Sequence, residues 1–271
     1  MNTHNSKKRS LRPLAVLALG LVAAASLSSM SCSPAQAAEA EPGLLEQYGL
    51  TYADPDTVRE AVYRMESAYG RVNDYTATFY KRERVRGRLL PMEIMEIKFR
   101  KPFAVYLKWI GKRHQDQESL YVKGWNNNKI MAHPGSFPDV TVSLSPNSSL
   151  AMRGNRHNIT ECGIGKIIEL IAHDMRRSES NPDHDVRFID HGYTKVYGSR
   201  SRCVEAIMPE DAGYYGHRAK ICMDTQTDLP NRVQIWNHDN NLVEDYGFKN
   251  LQVNPGLTSD DFDPENPDYS F

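Results

Sequence analysis

The chain has 271 residues, 33 basic and 34 acidic, for a net charge of −1, and 40% of it is apolar. That is enough apolar material for a sizeable core. A near-neutral balance with scattered basic residues gives no electrostatic reason to expect nucleic acid as a partner.

Lys7, Lys8, Arg9 and Arg12 form a positive start with no acidic residue beside them. The apolar run from Leu14 to Ala25, interrupted by Gly20, has the length of an export signal and is short for a permanent membrane span. Small residues then lead to Ala35-Gln36-Ala37, which fits the signal-peptidase rule. Residues 1–37 are therefore expected to be a signal peptide cleaved after Ala37, delivering the rest to the periplasm. Cleavage removes four positive charges and moves the net charge from −1 to −5. The alternative is a membrane-anchored lipoprotein modified at Cys32, where Ser29 stands in place of the usual branched apolar residue.

Residues 38–53 read as a loose lead, followed by a single domain over 54–271. Asp54-Pro55 is a helix cap followed by proline at the first helical position. Val58, Ala61, Val62, Met65, Ala68 and Tyr69 follow at helical spacing, which predicts an amphipathic helix over 55–71. The period then changes to two. Strands are predicted over 75–85, 92–100, 103–109, 119–123, 129–133 and 140–144, separated by short polar turns.

A second helix is predicted over 163–177, with Ile164, Ile167, Ile168, Ile171 and Met175 on one face. After the polar loop 178–185 come strands over 186–189, 193–197, 202–208, 218–224, 231–236 and 242–248. The acidic tail 262–271 is expected to lie extended along an edge. This order predicts an α+β domain: one strongly curved antiparallel sheet with two helices packed on its concave face.

Three cysteines follow the signal: Cys162, Cys203 and Cys222. Val204, Ala206, Met208, Ile221 and Met223 fit one face of a hairpin, leaving Cys203 and Cys222 on the other with Glu205, Lys220 and Asp224. In an oxidising compartment a cross-strand Cys203–Cys222 disulfide is expected, two unlinked small residues being the alternative. Cys162 opens the second helix and reads as a buried thiol.

Several strings resemble the LolA-like superfamily of periplasmic proteins, and within it the DUF1571 family. They are Tyr75-Thr76-Ala77-Thr78-Phe79-Tyr80-Lys81-Arg82-Glu83, Ile97-Lys98-Phe99-Arg100-Lys101-Pro102-Phe103, Leu120-Tyr121-Val122, Asp228-Leu229-Pro230 and the ending 254–271. The resemblance implies an unclosed β-barrel with a helical lid over an apolar cavity. In LolA-type carriers that cavity holds acyl chains of a lipoprotein in transit, while a related branch senses envelope stress and binds a membrane-anchored protein. LolA carriers have arginine directly before the proline of the second string. Here that residue is Lys101, with Arg100 one position earlier, so the resemblance leaves the role at the cavity mouth open between them. By strand parity and helical face, the cavity would be lined by Val62, Met65, Ile97, Phe99, Val105, Leu107, Ile167, Ile168 and Ile171.

No G-x-S-x-G, H-E-x-x-H, P-loop or G-x-G-x-x-G motif is present. The Asp183-His184-Asp185 and Asp190-His191 cluster sits in a polar loop, where solvation is the simpler reading, so neither a metal nor a cofactor is expected. Glu93 and Glu96 on an alternating strand suit cross-strand pairing with basic residues as well as acid–base work. Arg82, Arg84, Arg86 and Arg88 read as a solvated face, or alternatively as a patch for anionic headgroups or an acidic partner. The expected function is thus non-enzymatic: a carrier or chaperone for acyl chains of a lipid or lipoprotein. The alternative is an envelope sensor binding a membrane-anchored protein partner of the inner or outer membrane.

Overall fold

The computed structural model describes residues 51–271. The expected signal, Cys32 and most of the lead lie outside them. Among the described residues two α-helices, α1 (Pro55–Gly70) and α2 (Ile164–Ser180), accompany a thirteen-stranded sheet. The first meander consists of β2 (Asp74–Val85), the two-residue β3 (Arg88–Leu89), β4 (Glu93–Arg100), β5 (Ala104–Trp109), β6 (Glu118–Val122), β7 (Ile130–His133) and β8 (Val142–Leu144). The second consists of β9 (Arg187–Val196), β10 (Ser199–Ile207), β11 (Arg218–Asp224), β12 (Pro230–Trp236) and β13 (Leu242–Val253). β1 (Thr51–Tyr52) adds to β9, giving the expected lead a short strand at its end.

The spatial order is β1-β9-β10-β11-β12-β13-β2-β4-β5-β6-β7-β8, with β3 folded back on β2. The two meanders fuse where β13 pairs with β2, and β1 and β8 remain unpaired ends, so the barrel is unclosed. Neighbouring strands lie ~4.8 Å apart, so twelve laid flat would spread over ~50 Å, against ~20 Å for two helices. Yet inner-face residues from Phe188 of β9 round to Ile130 of β7 share one core with Val58, Val62 and Met65 of α1 and Ile164, Ile168 and Met175 of α2. That single core requires a sheet curved around the helices.

Asp54 caps α1 by accepting a hydrogen bond from the Asp56 amide at 2.9 Å. The start of α2 is fixed by close approach to the sheet: the Ile164 amide donates to the Tyr75 hydroxyl at 3.1 Å. A Cβ on Gly163, whose φ is 107°, would lie 2.7 Å from that same oxygen. A Cβ on Gly165 would overlap the Tyr69 ring of α1. Both glycines therefore serve packing.

Three boundaries differ from the sequence reading, each for a local reason. The two strands predicted over 186–197 are one, because β9 carries an extra residue opposite the Arg202–Val204 step of β10, and Gly192 (φ 65°) absorbs it. β13 runs on to Val253 through a similar irregularity at Asn250. The tail follows no edge: it straps the convex face of β4–β6. There Tyr269 stacks on Tyr106 at 4.0 Å, Asp261 pairs with Lys98 at 3.0 Å, and the Ser270 amide donates to the buried Glu118 carboxylate at 3.0 Å.

Cys203 and Cys222 are directly opposed in the β10–β11 register, with Cα atoms 4.0 Å apart and their sulfurs bonded. A cross-link of this loop size restricts the unfolded chain and stabilises the fold by about 2–4 kcal/mol. The double variant Cys203→Ser/Cys222→Ser should therefore melt several degrees lower than the oxidised protein. An unchanged melting temperature would show that the bond contributes nothing.

Candidate functional site

Strand parity divides the concave interior along its length. On β2 the inward residues run Tyr75, Ala77, Phe79 and then Lys81 and Glu83. β4 runs Phe99, Ile97, Met95 and then Glu93, and β13 runs Phe248, Tyr246 and then Glu244. One end of the interior is apolar and the other is charged.

The charged end is closed by the β8–α2 connection. The Arg156 amide donates to Glu83 at 2.9 Å and its Nε to Glu244 at 2.8 Å. His157 Nε2 lies 3.0 Å from Glu244, and its Nδ1 lies 2.7 Å from Glu161. The hydroxyls of Tyr246 and Tyr215 donate to Glu83 and Glu244, and Lys81 bridges Asn155 and Glu93. Glu93 also meets Arg113 at 3.1 Å. Burial alone would raise the Glu244 carboxyl, but hydrogen bonds from His157 and Tyr215 outweigh it and hold the group below its ordinary value. The hydrogen bond to Glu244 pushes His157 up to about 9, against the desolvation that works the other way.

This network is what sequence reasoning missed. Its one visible signal was the continuation of the inward parity of β2 and β4 into Lys81, Glu83 and Glu93.

The nine residues expected to line a cavity divide into two groups. Met65, Ile97, Phe99, Val105, Leu107 and Ile168 are buried together in the core, where Phe99 stacks on Tyr75 at 5.1 Å, and Ile167 packs against them. Val62 and Ile171 instead line an apolar crevice of about 50 Å³ between the helices and β9–β12. Phe188, Met208, Ile221 and Ile235 complete its walls. The crevice has its floor where Ala206 of β10 faces Ala219 of β11 across the ladder. Two small side chains at that spot leave unfilled space under the helices.

The two candidates for the mouth point to opposite faces. Arg100 shares the outward parity of Lys98 and lies 5.1 Å from the Phe262 ring of the tail. Lys101 turns toward the helices, donates to the Tyr69 carbonyl at 2.8 Å, and sits over the Tyr69 ring at 4.4 Å. A cation there complements the C-terminal end of α1.

Among the described residues no three His, Cys, Asp or Glu side chains converge as a metal would require. His184 bonds the Tyr214 hydroxyl, while His191 bonds Glu205 and Asp190 bonds Arg202. In the basic run, Arg82 and Arg84 serve the backbone carbonyls of Leu90, Leu242 and Gly87, while Arg86 is exposed in the tight β2–β3 turn and Arg88 is exposed at the start of β3. Lys81 faces Glu93 and Glu96 faces Lys108 across the ladders.

Because folding raises the His157 pKa above 6.5, its stabilising contribution is complete below that value and lost as pH rises through about 9. Glu244 works in the other direction: its contribution is present above 4.5 and lost as pH falls. Denaturant unfolding at about pH 6 and about pH 10 should show the wild type weakening across the interval and His157→Gln weakening much less. Equal losses in both proteins would contradict the network's role.

No curated protein matches the chain in sequence. Among solved structures it is similar to the lipoprotein LppX of Mycobacterium tuberculosis, at 13% identity and a TM-score of 0.46, with 76% of this chain and 99% of that one covered. It is also similar to a chain of the MucA/MucB complex of Pseudomonas aeruginosa, at 15% identity and 0.44, covering 76% of this chain and 60% of that one. A LolA superfamily protein of Nitrosomonas europaea matches at 8% identity and 0.32, covering 76% and 96%. In sequence, residues 72–271 match the family described as "Protein of unknown function (DUF1571)", and the chain belongs to that family.

Proposed function

We propose that the protein is a carrier or chaperone of the cell envelope that shelters acyl chains of a lipid or lipidated protein between its helices and sheet. The observation that carries this reading is the crevice over Ala206 and Ala219, whose walls are almost wholly apolar. In the closed form it admits only the end of a chain, so a longer stretch requires the helices to lift.

Their contacts favour such a motion. Arg176 pairs with Glu66, and both Arg59 and Tyr63 meet Glu179, tying α1 to α2 at the exposed rim. Toward β9–β12 a few polar ties (Arg64 with Asp228, Asp174 with the Tyr215 amide, Arg177 with the Ala212 carbonyl) accompany apolar contacts in which Met175 of α2 and Met208 and Met223 of the sheet have flexible stems that adapt to different contents. Each sheltered methylene contributes about 0.8 kcal/mol, so about five contribute roughly 4 kcal/mol, enough for reversible loading. Export and an oxidising compartment agree with the expected signal and with the Cys203–Cys222 bond.

Delipidated protein incubated with envelope membranes should acquire an organic-extractable acyl lipid, identified by mass spectrometry. Ala219→Leu, which fills the floor, should reduce loading several-fold while leaving the melting temperature within a few degrees. Absence of any extractable lipid from the wild type would defeat the reading.

A second reading, an envelope sensor that binds a membrane-anchored protein without catalysis, is favoured by the free edge of the sheet. β8 is an end strand with Val142 exposed, and the β7–β8 connection carries Phe137 at 96% exposure. Such an edge accepts a partner's strand. Under this reading one membrane protein is recovered in stoichiometric amount without lipid, and Val142→Lys loses it.

A further inference from the structure

A second cavity, of about 220 Å³, lies on the other side of α1, between that helix and the inner face of β9–β11. Three guanidinium groups face it: Arg64 from α1, and Arg200 and Arg202 from β10. Arg64 is tied to Asp228 at 2.6 Å and Arg202 to Asp190 at 2.7 Å, each through one terminal nitrogen. The remaining N–H groups of these forks are free to donate. The Nε of Arg202 is buried with no acceptor, which is costly for a charged donor. Arg200 has no carboxylate partner among the described residues and is held over the Tyr193 ring at 4.5 Å. The Thr57 side chain adds to the wall, while Glu60 and Asp228 supply the opposing charge. Asp228, Asp190 and Glu60 balance the three cations in number, yet among the described residues Arg200 meets no carboxylate and the Arg202 Nε no acceptor, so cationic donors remain unspent at the cavity wall.

The arrangement along the strands gives the cavity a direction. On β10, Arg202 is followed on the same face by Val204 and then Ala206. On β11, Met223 is followed by Ile221 and Ala219. Both files start in the arginine cavity and end in the apolar crevice, so one inner surface grades from arginine-lined to apolar.

We propose that the Arg64–Arg200–Arg202 cavity binds a phosphate-type oxyanion. The planar forks match phosphate oxygens, and the volume exceeds what a single water or halide fills. The phosphate can come from free phosphate esters or from the headgroup of an amphiphile whose tail lies toward the crevice. Only the second source rests on the carrier reading.

The test uses the delipidated chain and four probes in calorimetric titration: inorganic phosphate, glycerol phosphate, a lysophosphatidylglycerol, and an uncharged monoacylglycerol of the same chain length. The phosphate-bearing probes should bind, and Arg200→Gln should weaken each by about tenfold or more. Glu60→Gln, which removes the repelling carboxylate, should tighten them. Arg200 is exposed and its side chain lies over the Tyr193 ring, so an unchanged melting temperature will show that the variant folds. A lysophospholipid that binds far more tightly than glycerol phosphate identifies the headgroup source, whereas equal affinities identify free phosphate. If no phosphate probe binds, or if Arg200→Gln changes none of them, the proposal fails. Monoacylglycerol bound as tightly as the lysophospholipid, with neither inorganic phosphate nor glycerol phosphate bound, would overturn this site and leave the carrier reading standing. Binding of inorganic phosphate and glycerol phosphate, with the lysophospholipid no tighter and monoacylglycerol unbound, would do the reverse.

Discussion

Strand β13 returns from the far end of the chain to lie against β2, and this pairing sets Glu244 directly opposite Glu83 inside the barrel. Two like charges facing each other across a ladder repel, and burial makes the repulsion worse. The seam that unites the two meanders therefore depends on cations delivered from elsewhere. Arg156 and His157 arrive on the β8–α2 connection, and Lys81 comes from the ladder itself. The same residues that make one sheet of two meanders also close one end of its interior. A connection that looks like a long irregular loop in sequence is thus part of the scaffold.

Helical spacing and strand parity in the sequence were enough to find both helices, nearly every strand and the inner faces that meet them. Tyr75, Phe99, Val105 and Ile168 all face inward as their alternation and helical spacing require. Parity also separates Arg100 from Lys101, although the resemblance alone had left them equivalent. What parity cannot supply is volume: Met65, Ile97 and Phe99 face the right way, yet they fill their space against Tyr75 and the helices. Space survives toward β9–β12, where two alanines meet across β10 and β11. That pairing depends on a register set by long-range assembly. The ion network was hidden for a similar reason, since Glu83, Glu244 and His157 are distant in sequence and each alone resembles an ordinary surface residue.

The tail shows how a two-sided environment escapes a one-sided reading. β5 buries Ala104 and Tyr106 as well as Val105 and Leu107, because Tyr269, Phe271 and Phe262 cover its outer face. On the opposite wing, β9–β11 keeps its outer face for charge pairs such as Arg218 with Glu205. The first meander is thus clamped from both sides, and the second has space left on its inner side. The asymmetry places both cavities in the same wing.

The disulfide joins that wing from behind. Cys203 and Cys222 face outward, immediately next to the inward Val204 and Ile221. In a two-residue repeat, sliding one strand by a single position exchanges its faces, and here it would turn Glu205 or Lys220 into the greasy space and Ala206 or Ala219 out to water. A covalent tie between one residue of each strand forbids that slide. On the carrier reading, once the helices swing away and the packing that normally enforces alignment is gone, the staple still keeps the alanines beneath the entering chain.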